Sequence, residues 1–137
     1  MAFANPNNDE IKQILSDSKV IAVVGLSSSE LRASNQVARY LQERGYKIIP
    51  VNPKEETILG EKAYPSLKDI PEPIDIIDVF RRSEAVPEIA REAVETSASV
   101  LWLQEGVIHE DAVQMVKNTG MRALQDVCIK KIHQNLF

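Results

Sequence analysis

Val20-Ile21-Ala22-Val23-Val24-Gly25-Leu26-Ser27-Ser28-Ser29 is the stretch on which the fold turns. The unbroken apolar run from Val20 to Val24, mostly β-branched, suits a strand buried on both faces, as a parallel sheet demands. Gly25 permits a tight turn and a close backbone approach, and the serines after it supply hydroxyl donors. A strand feeding a Gly/Ser turn and then a helix is how a doubly wound α/β fold offers backbone N–H groups to a phosphate. Taken alone the loop is unspecific, because an ordinary strand-to-helix loop has the same composition. It has neither G-x-G-x-x-G nor the Gly-Lys-Ser/Thr of a P-loop.

Working outward, Ile11, Ile14 and Leu15 recur at helical spacing behind Asn8, a candidate N-cap, and residues 1–7 read as a loose arm. Downstream, Val37, Ala38 and Leu41 share one helix face, and Gly45 stands where a helix ends in a left-handed residue. Tyr46 to Val51 reads as the second strand, stopped by Pro53. Residues 54–73, with Pro65, Pro71, Pro73 and Gly60, read as irregular with one helical turn at Ser66 to Asp69. Ile74 to Phe80 is a third apolar strand. Ser83 is a candidate N-cap with Pro87 in the first turn, and Val86, Ile89, Ala90, Ala93 and Val94 give the clearest helical pattern. Ser99 to Leu103 is a fourth strand, Glu110 to Asn118 a helix and Met121 to Val127 a fifth strand. A last helix holds Ile129, Ile132 and Leu136. The expectation is a three-layer α/β fold: a five-stranded parallel sheet with helices on both faces and right-handed crossovers. It occupies residues 11–137 as one domain, and residues 1–10 form the arm and the start of the first helix.

A chain of 137 residues with 44% hydrophobic and 26% charged content is long enough for a single core. Its net charge of -4 weighs against a nucleic-acid surface. No apolar run approaches the roughly 20 residues of a membrane span, and the N-terminus lacks a signal-peptide core. Cys128 is the one cysteine, so no intrachain disulfide forms and no cysteine-based zinc cluster exists. These features point to a cytoplasmic protein.

In such a fold the ligand lies beyond the carboxyl ends of the strands. That nominates Gly25 to Ser29, Asn52 to Lys54, Phe80 to Arg82, Gln104 to Gly106 and Cys128 together. An NAD-holding fold usually ends its second strand in Asp or Glu, which accepts from the ribose 2′-OH. Asn52 stands there instead, followed by Pro53 and Lys54. Arg32, Lys54, Arg81 and Arg82 on the same edge of an acidic chain suit a ligand with several phosphates, coenzyme A or NADP; Arg82 reads as a surface charge. Phe80 suits either an adenine or the core, and Trp102 suits the core.

Val23-Val24-Gly25-Leu26-Ser27, Ile49-Pro50-Val51-Asn52-Pro53, Asp78-Val79-Phe80-Arg81 and Leu101-Trp102-Leu103-Gln104-Glu105-Gly106-Val107 occur in that order, followed by Gly120-Met121 and Asp126-Val127-Cys128. Together they resemble the CoA-binding family of small stand-alone proteins, which is similar to the N-terminal CoA-binding domain of the succinyl-CoA synthetase α subunit. The resemblance covers the chain from about Ile11 to Phe137. It implies a Rossmann-like domain holding coenzyme A or an acyl-CoA. Gly25, Ser27 and Ser28 would then hold the diphosphate, with Arg32 nearby. Val51, Asn52 and Pro53 would frame the adenosine, and Lys54 would meet the 3′-phosphate. Phe80 and Arg81 would line the nucleotide side, and Gln104, Glu105 and Gly106 the pantetheine side. Family members often carry a proline in the first loop, where this chain has Ser28-Ser29-Glu30.

Succinyl-CoA synthetase works through a phosphorylated histidine in a further domain, and here His109 and His133 read as solvated or structural. No catalytic constellation emerges, so the expected role is non-catalytic CoA binding, as a carrier, sensor or regulator. The alternatives are an NADP/NAD-binding oxidoreductase or redox-sensing module, and a nucleotide-binding subunit of a separate acyl-CoA ligase. Partners would be a CoA-type ligand and either a second copy in a homodimer or a larger ligase subunit, with no nucleic acid or membrane. Cys128, opening the last helix, is a candidate for a mixed disulfide with the CoA thiol.

Overall fold

The computed structural model describes residues 4–137; residues 1–3 of the expected arm lie outside that range. The elements run α1 (Asn8–Asp17), β1 (Val20–Val24), α2 (Ala33–Glu43), β2 (Lys47–Val51), a hairpin of β3 (Thr57–Ile58) and β4 (Glu61–Lys62), β5 (Ile76–Val79), α3 (Val86–Ala93), β6 (Val100–Leu103), α4 (Glu110–Asn118), β7 (Arg122–Leu124) and α5 (Ile129–Leu136). Short 3-10 turns cover Leu67–Asp69 and Ser83–Ala85.

Five strands form one parallel sheet in the order β2-β1-β5-β6-β7, with Val24 of β1 in register between Val51 and Val79. Chain order reverses between β1 and β5, which makes the carboxyl end of that pair the switch point. Because successive strand residues point to opposite faces, the sheet supports two cores. On one face Val24, Ile77, Val79, Leu101 and Leu103 meet Val86, Ile89, Ala90 and Ala93 of α3 and Val113 and Val116 of α4. On the other, Ile21, Val23, Ile76 and Trp102 meet α1, α2 and α5. Trp102 is fully buried, and its Nε1 donates to the Val127 carbonyl at 2.9 Å. The three-layer, Rossmann-like arrangement is the one expected.

Local corrections have local causes. Asn7, not Asn8, caps α1, its side chain accepting from the Glu10 amide at 2.9 Å. The arm is not loose at Asn5, which exchanges two bonds with the Gln125 backbone, each 2.9 Å. β7 stops at Leu124, short of the expected Val127, where the Asp126 amide leaves the ladder for the Val107 carbonyl at 3.2 Å and the chain turns at φ 61°. Ser83 does not cap α3. A 3-10 turn intervenes, and the Ser83 hydroxyl accepts from the Ile108 amide at 3.0 Å instead. Residues 54–73 are not wholly irregular, since Leu59 and Gly60, at φ 54° and 77°, form the two-residue turn of the β3–β4 hairpin. Gly45 does end α2: its amide reaches the Gln42 carbonyl, and the Tyr46 amide reaches Leu41, closing a Schellman motif.

Candidate functional site

At the switch point the ends of β1 and β5 come so close that only glycine is accommodated. Gly25 has φ 86°, its amide donates to the Val51 carbonyl at 3.0 Å, and a Cβ there would lie 3.1 Å from the Phe80 carbonyl oxygen. The serines that follow are not simply free donors. The Ser27 amide donates to Ser34 Oγ at 3.0 Å, Ser27 Oγ accepts from the Ser29 amide at 3.0 Å, and Asn35 Nδ2 donates to the Ser27 carbonyl at 2.9 Å. These bonds fold the loop onto the first turn of α2 and fix its shape without a proline. Arg32 at the N-cap makes no side-chain capping bond, so the positive end of α2 opens onto the edge.

Asn52 performs a positioning task. Its Nδ2 donates to the Leu26 carbonyl at 3.0 Å and its Oδ1 accepts from the Lys54 amide at 2.8 Å, so the amide binds the end of β2 to the first loop. Two cavities open at this edge. One, of about 460 Å³, brings together Gly25, Ser27, Ser28, Arg32, Asn52, Lys54 and Phe80, and adds Glu55. The other, of about 540 Å³, brings Phe80 together with Gln104, Glu105 and Cys128, and adds Val107 and Lys130. Ala33, the first residue of α2, and Phe80 line both, so the two chambers adjoin across the helix N-terminus.

Val51, Pro53 and Arg81 are not part of that pair of chambers. They line a smaller cavity of about 160 Å³ with Leu67 and Ile89, on the α3 face. The period-2 alternation of extended chain explains the split: Phe80 packs toward α2 and α5 while its neighbour Arg81 turns to α3, and Asn52 parts from Val51 and Pro53 in the same way. Gly106 is exposed, its amide donating to Asp126 Oδ1 at 2.7 Å.

In the larger chamber Gln104 is buried, and its Oε1 accepts the first amide of α5, from Ile129, at 3.1 Å. Cys128 occupies the N-cap position of that helix and is half-buried. At the mouth Lys131 meets Glu105 at 2.9 Å, a hydrogen bond that raises the lysine pKa; both groups are exposed, so the pair adds little stability. The histidines are engaged elsewhere: His109 Nδ1 accepts from Ala112 to cap α4, and buried His133 shares a 2.7 Å bond with the Tyr40 hydroxyl. Among the described residues no three His, Cys, Asp or Glu side chains gather as a metal site, and no helix is long and apolar enough to cross a membrane. Sequence reasoning missed Glu55, which lies one residue beyond the nominated strand-end segment.

A family model described as a CoA binding domain matches residues 19–134. The uncharacterized protein YneT of Bacillus subtilis (strain 168) is 52% identical over 129 residues, covering 94% of this chain and 96% of that one. The structure of cell-free ID.343 from Thermus thermophilus superposes with a TM-score of 0.93 at 36% identity, over 96% of this chain and all of that one (100%). The acetate–CoA ligase [ADP-forming] II subunit alpha of Pyrococcus furiosus is 30% identical over 129 residues; the match takes in 85% of this chain and only 28% of that subunit.

Proposed function

This chain belongs to the CoA-binding domain family, and from that premise we propose that it binds coenzyme A or an acyl-CoA at the carboxyl edge of its sheet without catalysing a reaction itself. The supporting observation is the pair of adjoining chambers that share Ala33 and Phe80 at the switch point. A ligand with a nucleotide at one end and a long arm at the other suits such a pair. The diphosphate sits over Gly25, Ser27, Ser28 and the open end of α2, with Arg32 beside it. The adenosine lies on the Lys54 side, and the pantetheine arm passes Phe80 toward Gln104, Glu105 and Cys128. Val51, Pro53 and Arg81 support this edge from behind, and Asn52 holds the two loops together. The non-catalytic reading rests on the histidines, both of which are engaged in structural bonds.

A thermal-shift series with CoA, acetyl-CoA, NAD and NADP tests the reading. A ligand at about 100 times its Kd adds about 2.7 kcal/mol, which for a domain of this size raises Tm by roughly 10 °C. CoA and acetyl-CoA are expected to give that rise and NAD none. Stabilisation by NADP with none by CoA overturns the proposal in favour of a dinucleotide-binding module. The likeness to a ligase α subunit favours one second reading, in which the chain lends its CoA site to a separate catalytic chain. Stable co-purification with a larger ligase chain would select it.

A further inference from the structure

Asn52 leaves the end of β2 without the acid that receives a ribose hydroxyl in NAD-holding folds. Its own amide does not replace that acid: it is uncharged, and it is fixed in a linking position with Oδ1 accepting from the Lys54 amide and Nδ2 donating to the Leu26 carbonyl. A carboxylate nevertheless lines the nucleotide chamber: Glu55, alongside Gly25, Ser27, Arg32 and Lys54. We propose that Glu55 receives the ribose 2′-hydroxyl and thereby selects an adenosine phosphorylated at the 3′ position over one phosphorylated at the 2′ position. The inference rests on the CoA-binding reading and assigns a specificity-determining residue within the same site.

The placement of Glu55 is set from both sides. Before it, the turn closed by Asn52 and the Lys54 amide at 2.8 Å fixes the chain leaving β2. After it, the Glu56 carbonyl accepts from the Ala63 amide at 2.9 Å, anchoring the base of the β3–β4 hairpin. Between these anchors the carboxylate reaches across the chamber to the first loop, where Ser28 Oγ donates to Glu55 Oε1 at 3.1 Å. It therefore spans the gap between the loop assigned to the diphosphate and the segment assigned to the adenosine, where a ribose would lie.

The chemistry is discriminating because an ionised carboxylate only accepts hydrogen bonds. A free 2′-hydroxyl donates to it. A 2′-phosphate would set a near-dianion against it, a like-charge contact that stays unfavourable even with solvent screening at this exposed residue. A 3′-phosphate lies on the neighbouring ribose carbon, with the Lys54 cation one residue from Glu55 available to it. The same carboxylate that would repel a misplaced phosphate thus rewards the isomer present in CoA.

The test uses two small isomers, adenosine 3′,5′-bisphosphate and adenosine 2′,5′-bisphosphate, titrated calorimetrically into the wild-type protein, Glu55→Gln and Glu55→Ala, with CoA alongside. Glu55 is exposed, so both variants are expected to melt with the wild type. The wild type should prefer the 3′,5′ isomer by about 10-fold or more, the scale of one charge-assisted hydrogen bond. Both variants should bind that isomer and CoA about 10-fold more weakly, and their preference should fall below about 3-fold. A wild type that binds CoA while either variant keeps the full preference overturns the role of Glu55 and leaves the CoA reading standing. A wild type that binds neither CoA nor either isomer overturns both.

Discussion

Gly25→Val is expected to lower CoA affinity at least about 100-fold while the protein still folds, because the substitution strains the backbone and crowds the chamber together. The left-handed conformation at φ 86° costs an L-residue about 1–2 kcal/mol, and more when it is β-branched. The added Cβ also meets the Phe80 carbonyl oxygen at 3.1 Å and Arg81 Cδ at 3.0 Å. The first of these is backbone, held to β1 by the Phe80 amide bond to the Val24 carbonyl at 2.9 Å, so it has little freedom to yield. Relief must come from the loop, and the loop carries Ser27 and Ser28. Gly25→Ala should give the same effect in smaller measure, about 10-fold in affinity with a loss of about 1–2 kcal/mol. Gly120 is the control: its φ is 96°, but beyond its own chain neighbours nothing lies within 4 Å of its would-be Cβ, and it lines neither chamber. Gly120→Ala should therefore lose stability and keep its CoA affinity. Titration and denaturant melts of the three variants decide the matter. Wild-type affinity in Gly25→Val would show that the ligand does not use this loop.

The second large effect concerns Asp78, which is fully buried on β5 between Val23 and Trp102, with both carboxylate oxygens unpartnered. Burial pushes its pKa well above the ordinary value of 3.8. Between that ordinary value and the raised one, the folded state holds a proton that the unfolded chain has released. Stability is therefore fully present below about pH 4 and falls by up to about 1.4 kcal/mol per pH unit until the folded-state carboxyl ionises. Leucine keeps the heavy-atom connectivity of aspartate and replaces its two oxygens with larger methyl groups. Asp78→Leu is expected to raise stability at pH 8 by about 2–4 kcal/mol, since an unpartnered buried polar group is replaced by an apolar one. The wild-type-minus-variant difference should shrink toward pH 4, which isolates Asp78 from every other titrating group. A pH-independent difference would show that the carboxyl is not held protonated by burial when the protein is in solution, whatever the packing cost of the larger leucine.

How far the residues disclosed all this depends on which signal each carried. The run Val20 to Val24 matches β1 at both ends because a fully buried strand is an uninterrupted apolar word, and Gly25 stops it. Glu110–Asn118 matches α4 because acidic residues open it and the apolar period is clean. Strand ends were overestimated where apolar residues continue past the last paired strand residue, as at Val127 and Phe80, both of which pack against the core from just beyond the strand. The β3–β4 hairpin escaped notice because Leu59, a residue that rarely adopts positive φ, occupies its turn. In the candidate site, the strand-end rule identified the segments but not the faces within them. Phe80 and Asn52 face the α2 side, whereas Arg81, Val51 and Pro53 face α3, a division that the period of two contains. Glu55 was invisible for another reason: a loop residue has no register until the turn at Asn52 and the hairpin anchor fix it. Asp78 lies inside an apolar word, so nothing but the burial of its neighbours reveals its cost.

A chemical-shift titration of isotope-labelled protein with CoA decides where the ligand lies. The expected result is saturable movement of amides in residues 25–33 and 104–106, at Asn52, Lys54, Glu55 and Phe80, and from Cys128 to Lys131, with the amino ends of the strands unmoved. Movement confined to the opposite end of the sheet, around Lys19, Arg44 and Tyr46, or no movement at millimolar CoA, would contradict the placement of a CoA site at the switch point.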